Sequence, residues 1–297
     1  MEQEYKSGFA TIIGRPNVGK STLMNSIVKE KIAIVSEKPQ TTRNRIMAIA
    51  TKDDAQIIFI DTPGIHKPKN KLGEYMLKAA EDTLKEVDVI LYMVQADAAI
   101  GTGERKIIER FEQIHTPVIL IINKIDLLTK EDILPVIQQY QSLYAFKVII
   151  PISALHQDGI EIISEEITKL LPPGPKFFPD DMITDQPERQ IVSEMVREKV
   201  LHHLAKEVPH GIAVEITSMH QDEQKKIIKI GANIYCEKAS HKGIIIGNKG
   251  EMLKKIGSLA REDIERLLGS KVFLELWVKV KKDWRNSTFF VKNFGYK

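Results

Sequence analysis

The eight residues GRPNVGKS, 14–21, decide how the first half of the chain folds. They fit Gly-x-x-x-x-Gly-Lys-Ser and stand between the strand-like run FATIIG (9–14) and the helix-like STLMNSIV (21–28). In that order a glycine loop turns into a helix N-terminus, whose backbone N–H groups hold phosphate. Further apolar runs of strand length follow: QIIFIDTPG (56–64), DVILYMVQA (88–96), TPVILIINKID (116–126) and KVIIPISA (147–154). Amphipathic stretches such as KLGEYMLKAAEDTLKEV (71–87) separate them. This alternation predicts an α/β domain with a mostly parallel sheet wrapped by helices.

The stretch LLPPGPKFFPDDMITDQPERQ (170–190) holds five prolines, and a segment so poor in backbone donors is expected to be a linker. The predicted organisation is one domain over 1–172, a connection over 173–190 and a second domain over 191–297. In the second, Val192, Val196, Val200 and Leu204 recur at helical spacing, whereas GIAVEITSM (211–219) and KKIIKIGANIYCE (225–237) alternate with a period of two. A run carrying Met252, Ile256, Leu259, Ile264 and Leu267 reads as a helix, and Val272, Leu274, Leu276, Val278 and Val280 share one face of a last strand. The predicted order is helix, two strands, glycine loop, helix, strand: a smaller α+β domain.

Bulk properties narrow the setting. The chain has 297 residues, 43% of them hydrophobic and 28% charged, enough to bury two cores. A single cysteine, Cys236, excludes an internal disulfide framework, and the opening MEQEYKSGFATIIG lacks the pattern of a signal peptide. A cytoplasmic location is therefore expected. No apolar run approaches the roughly 18 residues of a membrane-spanning helix. Residues 225–297 carry 17 Lys+Arg against 7 Asp+Glu, while the rest carries 26 against 33. So basic an end predicts a polyanionic partner.

The motifs assign chemistry residue by residue. In the loop, Gly14, Arg15, Pro16, Asn17, Val18 and Gly19 cradle the phosphates, Lys20 reaches the β/γ oxygens, and Ser21 ligates magnesium, with Thr22 following on the helix. DTPG (61–64) ends a strand, where Asp61 holds magnesium through water and Gly64 N–H meets the γ-phosphate, flanked by Thr62 and Pro63; a plain turn is the other reading. NKID (123–126) offers Asn123, Lys124 and Asp126, whose carboxylate accepts from guanine N1–H and the exocyclic amine and leaves adenine unpaired. SAL (153–155) follows, with Ser153 and the Ala154 N–H facing guanine O6, or else simply capping a helix.

In this order and spacing, GRPNVGKS, QTTR, DTPG, NKID and SAL resemble translation-factor-class GTPases over roughly residues 7–171. GRPNVGKSTLMN, QTTRNR and DTPGIHKPK, joined to GIIIGNKGEMLKKIG, resemble more closely the Era family of bacterial GTPases, within the TrmE-, Era- and EngA-like group. That resemblance spans nearly the whole chain. It implies a GTPase with a C-terminal type II KH domain that binds the 3′ region of small-subunit ribosomal RNA and assists assembly of the small subunit, with peripheral attachment to the inner membrane. It also implies slow turnover of GTP to GDP, because Ile65 stands where Ras-like enzymes place a water-orienting glutamine. Lys20, Thr42 and Gly64 are then the expected catalytic residues, and Ser21, Thr42 and Asp61 the expected magnesium ligands. Thr41 and Thr42 lie in the first switch. Asn17 either helps hold a potassium ion beside the phosphates or bonds its own backbone. Arg43 and Arg45 read equally well as plain surface charges.

The same resemblance makes GNKG, residues 247–250, the loop between two helices that clamps a single-stranded backbone. Gly247 and Gly250 allow close approach, with Asn248, Lys249, Lys242 and Lys254 around them. Ile244, Ile245 and Ile246 either line the base groove or belong to the core. Cys236 is expected in the core, and His202 and His203 lack partners for a metal site. His241 touches phosphate or faces solvent, and Trp277 and Trp284 either pack or stack on bases beside Lys279, Lys281 and Lys282. Two other functions stay open: a GTPase powering RNA modification, and a constitutive RNA-binding protein with a structural nucleotide domain.

Overall fold

In the computed structural model, residues 4–36, 38, 41–61, 70–83, 86–204 and 208–296 are described, 80–82 by backbone only. They cluster into two compact units, one within Met1–Ala33, Thr42–Lys67 and Met76–Asp185, the other within Ile34–Thr41, Pro68–Tyr75 and Gln186–Lys297.

The apolar runs of the first unit form β1 (Lys6–Ile13), β2 (Ile46–Thr51), β3 (Ala55–Asp61), β4 (Val89–Gln95), β5 (Val118–Asn123) and β6 (Val148–Pro151). They make one sheet in the order β2-β3-β1-β4-β5-β6. Only β2 runs antiparallel to its neighbour; the rest are parallel. A parallel sheet covered on both faces needs continuous apolar strands, and β3 and β5 are buried at every position. Helices α1 (Lys20–Val28), α2 (Lys71–Thr83), α3 (Thr102–Phe111) and α4 (Lys130–Gln141) lie between the strands in sequence, and α5 (Ile160–Leu170) follows β6. Because β1 lies between β3 and β4, its C-terminal loop opens at the point where the strand order reverses, the usual ligand position in such sheets.

Residues 173–185, expected as linker, belong to the first unit. The reason is Gln56, a fully buried residue whose Oε1 accepts from Phe177 N–H (2.8 Å) and Phe178 N–H (3.0 Å). Ile49 N–H then donates to Ile183 O at 2.9 Å, and Thr184 Oγ1 to Met47 O at 2.7 Å. The proline-rich chain thus covers edge strand β2, which would otherwise present unpaired backbone groups.

The second unit contains α6 (Glu188–His203), β7 (Ala213–Asp222), β8 (Ile227–Cys236), α7 (Ala239–Ile246), α8 (Glu251–Leu268), β9 (Lys271–Val280) and α9 (Thr288–Asn293). Its sheet runs β7-β8-β9, antiparallel then parallel. The parallel pair requires a crossover, which α7 and α8 supply. Val192, Val196 and Val200 of α6, Ile256, Ala260 and Ile264 of α8, and Ile230, Ala232, Ile234 and Cys236 of β8 form the core. Helix α9 was not among the expected elements, and α7 was expected only through the family resemblance, which places the GNKG loop between two helices.

Candidate nucleotide and RNA sites

The first site lies at the carboxyl edge of the parallel sheet. The loop after β1 has Asn17 and Gly19 in the left-handed region, at φ 68° and 108°. A Cβ at residue 19 would stand 2.2 Å from Asn123 Nδ2, so only glycine fits there. Lys20 opens α1 almost wholly buried, and its Nζ donates to Gly14 O (3.2 Å) and Arg15 O (3.0 Å). Burial lowers the Lys20 pKa, while the charge of Asp61 works against that shift.

Three oxygens converge beside it. Ser21 Oγ donates to Asp61 Oδ2 at 2.9 Å, Thr42 Oγ1 donates to the same oxygen at 3.3 Å, and the two hydroxyls are 3.1 Å apart. They come from α1, the segment before β2 and the end of β3, so three separate chain segments are needed to assemble them. A carboxylate and two hydroxyls are hard donors, and this set suits magnesium. Thr62, Pro63, Gly64 and Ile65, together with Gln40, lie outside the described residues.

The base-recognition motifs are tied to the loop by Asn123. Its Nδ2 donates to Val18 O at 2.7 Å and its Oδ1 accepts from Ala154 N–H at 2.9 Å. The Ala154 N–H expected to meet guanine O6 is therefore engaged with Asn123, because SAL is locked against NKID by that amide. Ser153 Oγ donates to Asp126 Oδ1, and Asp126 stays exposed at the mouth. Lys124, at φ 66°, donates to Gln95 Oε1 at 2.8 Å. Gln95 was missed in the sequence, although a polar residue closing an apolar strand, as Asp61 and Asn123 also do, marks it. Ser26 Oγ of α1 donates to both Thr22 O and Ala154 O, at 2.9 and 3.0 Å. Pro16 and Asn17 are exposed, and Arg43 is 1% exposed, so it is no surface charge.

Within the second unit, side chains of α6 hold the backbone of Val35 and of Thr41. Glu198 Oε1 accepts from Val35 N–H (2.9 Å), His202 Nε2 bonds Val35 O (2.7 Å), and the Arg197 guanidinium donates to Thr41 O. Arg197 and Glu198 are buried. His203 Nδ1 bonds Lys199 O at 3.0 Å. Among the described residues no three His, Cys, Asp or Glu side chains come together as a metal site.

The glycine loop of this unit sits between α7 and α8, with φ 75° at Gly247, 48° at Lys249 and 84° at Gly250. Helix geometry separates the isoleucines: Ile245 is fully buried, Ile244 is 50% exposed, and Ile246 is half-buried against the core. The base-groove reading of Ile245 is thereby corrected, since one turn of α7 points Ile245 and His241 inward together and leaves Lys242, Gly243 and Ile244 outward. His241 accordingly neither faces solvent nor lies free for phosphate. Asn248, Lys249, Lys254 and Lys255 are exposed around the loop. Trp284 is buried and its Nε1–H donates to Gly211 O at 2.9 Å, whereas Trp277 is 46% exposed on the opposite face of β9 from Val278.

Comparison with known proteins joins these two loops in one family. Residues 9–124 match the model described as 50S ribosome-binding GTPase, and residues 207–285 match the KH domain. GTPase Era of Alkaliphilus metalliredigens is 60% identical over 292 residues, 98% of this chain and 99% of that protein. GTPase Era of Ruminiclostridium cellulolyticum is 59% identical over 293 residues, 99% of this chain and 98% of the other. A substituted Aquifex aeolicus Era bound to GDP·AlF4− superposes with a TM-score of 0.94 at 41% identity, covering 98% of this chain and 99% of its own. An Era in complex with MgGDPNP and nucleotides 1506–1542 of 16S ribosomal RNA gives the same values. Identity near 60% from end to end, with a GTPase model over one loop and a KH model over the other, shows that this GTPase belongs to the GTPase Era family.

Proposed function

We propose that this GTPase binds the 3′ region of small-subunit ribosomal RNA through its KH unit, in a manner set by its nucleotide, and thereby assists assembly of the small subunit. The observation that carries the RNA half is the turn at 247–250: left-handed at both glycines, open at Gly250 and ringed by exposed lysines. The RNA-bound Era neighbour supports the choice of small-subunit RNA. The broader description naming the large subunit attaches to residues 9–124 alone.

In this reading the nucleotide work stays within the first unit, which includes residues 173–185, and the RNA work within 191–297. Lys20 and the backbone donors of residues 14–19 bind the phosphates, and Asp126 selects guanine. Ser21, Thr42 and Asp61 would hold magnesium, which neutralises charge developing on the transferred phosphoryl group when bound. Asn17, exposed and held at φ 68°, is the proposed potassium contact. No helix among the described residues is long and apolar enough to cross a membrane, so the membrane association proposed here is peripheral. Switching is supported by two consecutive residues: Thr41 O is bonded to Arg197, while Thr42 Oγ1 is bonded to Asp61. A change at the γ-phosphate that moves Thr42 also pulls on Thr41.

The RNA-modification alternative is disfavoured by the chain's one cysteine. Cys236 is fully buried and burial pushes its thiol pKa up, the reverse of what a nucleophile needs. The test is fluorescence anisotropy with a 3′-terminal fragment of small-subunit RNA and a scrambled control, at fixed salt, with GDP and with a non-hydrolysable GTP analogue. The native fragment should bind about 5- to 150-fold differently in the two nucleotide states, the usual range for coupled sites. Equal affinity in both states removes the switch, and equal affinity for the scrambled RNA removes the target.

A further inference from the structure

Arg15 occupies a position of the phosphate loop that the motif leaves open, yet its side chain is tied down. Its Nη1 donates to Glu104 Oε1 at 3.0 Å, and its stem passes Gly103, where an added Cβ would lie 3.5 Å from Nε. Glu104 is the third residue of α3 and only 5% exposed, an uncommon place for a carboxylate. Its second oxygen, Oε2, accepts from Gly101 N–H at 3.0 Å, which closes the first turn of α3. Burial opposes the charged form, but the bonds from Arg15 and from backbone N–H groups outweigh it and leave the carboxyl below its ordinary pKa. One buried carboxylate therefore caps a helix with one oxygen and holds the phosphate loop with the other.

The backbone of the same residue is held from the opposite side. Arg15 O and Gly14 O both accept from Lys20 Nζ. The side chain is drawn to α3 while the carbonyl faces the catalytic lysine. Nothing in the GTPase motifs assigns Glu104 a part in this.

We propose that Glu104 is a positioning residue of the nucleotide site: acting through Arg15, it fastens the start of the phosphate loop to α3, so that the loop's backbone donors stand in place before a nucleotide arrives. The inference rests on the nucleotide site described above and extends it to a residue outside the motifs. A loop released from this tether must be ordered on binding, which weakens any ligand held through the loop. GDP and GTP both engage it, so both lose affinity together.

The experiment uses the full chain as wild type, Glu104→Gln, Arg15→Ala and the double variant. Affinities for fluorescent GDP and a fluorescent non-hydrolysable GTP analogue are measured with steady-state GTP hydrolysis. Each single variant should bind both nucleotides about 3- to 10-fold more weakly, the scale of one hydrogen bond. KM should rise by a larger factor than kcat falls, and the double variant should be no weaker than the weaker single one. Additive losses, a loss confined to the GTP analogue, or wild-type affinity in Arg15→Ala each overturn the proposal. A wild type that fails to bind GDP would instead overturn the nucleotide site itself. Should Glu104→Gln melt early, Arg15→Ala still gives the reading, because its side chain is 54% exposed and its removal opens no cavity.

Discussion

Gly250→Asp places a carboxylate where the RNA backbone is proposed to lie, and the structure supplies a matched control. Gly250 and Gly269 cap the two ends of α8 at φ 84° and 60°, and a Cβ added at either meets nothing within 4 Å. Both aspartates therefore carry the same left-handed strain, about 1 kcal/mol, and the same charge. They differ in position. The helix between them has 18 residues, which at 1.5 Å each is about 27 Å. A carboxylate about 5 Å from a phosphate costs roughly 1 kcal/mol in water and roughly 3 kcal/mol at the effective dielectric of a protein surface. That is about 5- to 150-fold in affinity. At residue 250 the new carboxylate also competes for the N–H groups opening α8, the donors a phosphate would use. At residue 269 the charge lies several Debye lengths away, the screening length being about 8 Å at physiological salt, and the loss should stay under about twofold. Gly247 is the poorer site for this test, since its Cβ would fall 2.6 Å from Met252 Cβ and 2.9 Å from Met252 N, and the variant would distort α8 as well. The assay is RNA anisotropy for wild type, Gly250→Asp and Gly269→Asp at one salt concentration, with GTP hydrolysis as the check that the first unit is intact. Equal losses in the two variants, or none at residue 250, would refute the assignment of the loop.

Asp126→Asn should weaken GTP binding by roughly 100-fold or more, the loss of two hydrogen bonds to a charged acceptor, and should favour xanthosine triphosphate, whose base carries an oxygen in place of the amine; normal GTP affinity by calorimetry would show that Asp126 does not read the base. GTP hydrolysis should run faster in potassium than in sodium, and Asn17→Ala should abolish that difference; equal rates of phosphate release in both salts for the wild type would remove potassium from the site.

The nucleotide unit was legible because parallel strands buried on both faces are written as uninterrupted apolar runs, and because several candidate residues stand at the ends of such runs. Asp61 closes β3 and Asn123 closes β5, so naming the strand ends nearly names the site. What escaped is contact that crosses the sequence. Gln56 looks like one more polar residue at the start of β3, and nothing local shows that its amide gathers residues 177 and 178, which lie 121 and 122 positions away. Arg43 likewise reads as a surface charge beside Arg45 until burial is known. Helix α7 was expected from the family resemblance but not from the pattern of apolar residues. The run ASHKGIII lacks the apolar spacing of a helix, and only His241 and Ile245 are buried in it, with Ile246 partly buried against the core. The two tryptophans separate on strand parity and partner: Trp277 alternates outward with Phe273 on β9, whereas the indole N–H of Trp284 finds a buried carbonyl.

The chain uses one backbone device twice, a left-handed glycine turn leading into a helix, and what surrounds each turn decides its ligand. At residues 14–21 the turn is roofed: Gly19 has Asn123 against it, Lys20 is buried, and Ser21, Thr42 and Asp61 converge within 3.3 Å of one another. Such enclosure fits a compact polyphosphate with its metal and excludes a continuing chain. At residues 247–250 the turn is open: Gly250 has nothing within 4 Å of the position a Cβ would take, and Lys249 and Lys254 stand exposed on either side. Diffuse positive charge over an open turn cannot define one small anion, but it can follow a repeating one. Directly after the second turn, Met252 stands where Ser21 stands in the first, and Glu251 stands where Lys20 does. A carboxylate there repels the γ-phosphate of a nucleotide yet leaves the N–H groups of α8 to the phosphodiester proposed to pass beside it, so a glycine turn into a helix that is proposed to hold GTP at one end of the chain is proposed to hold RNA at the other.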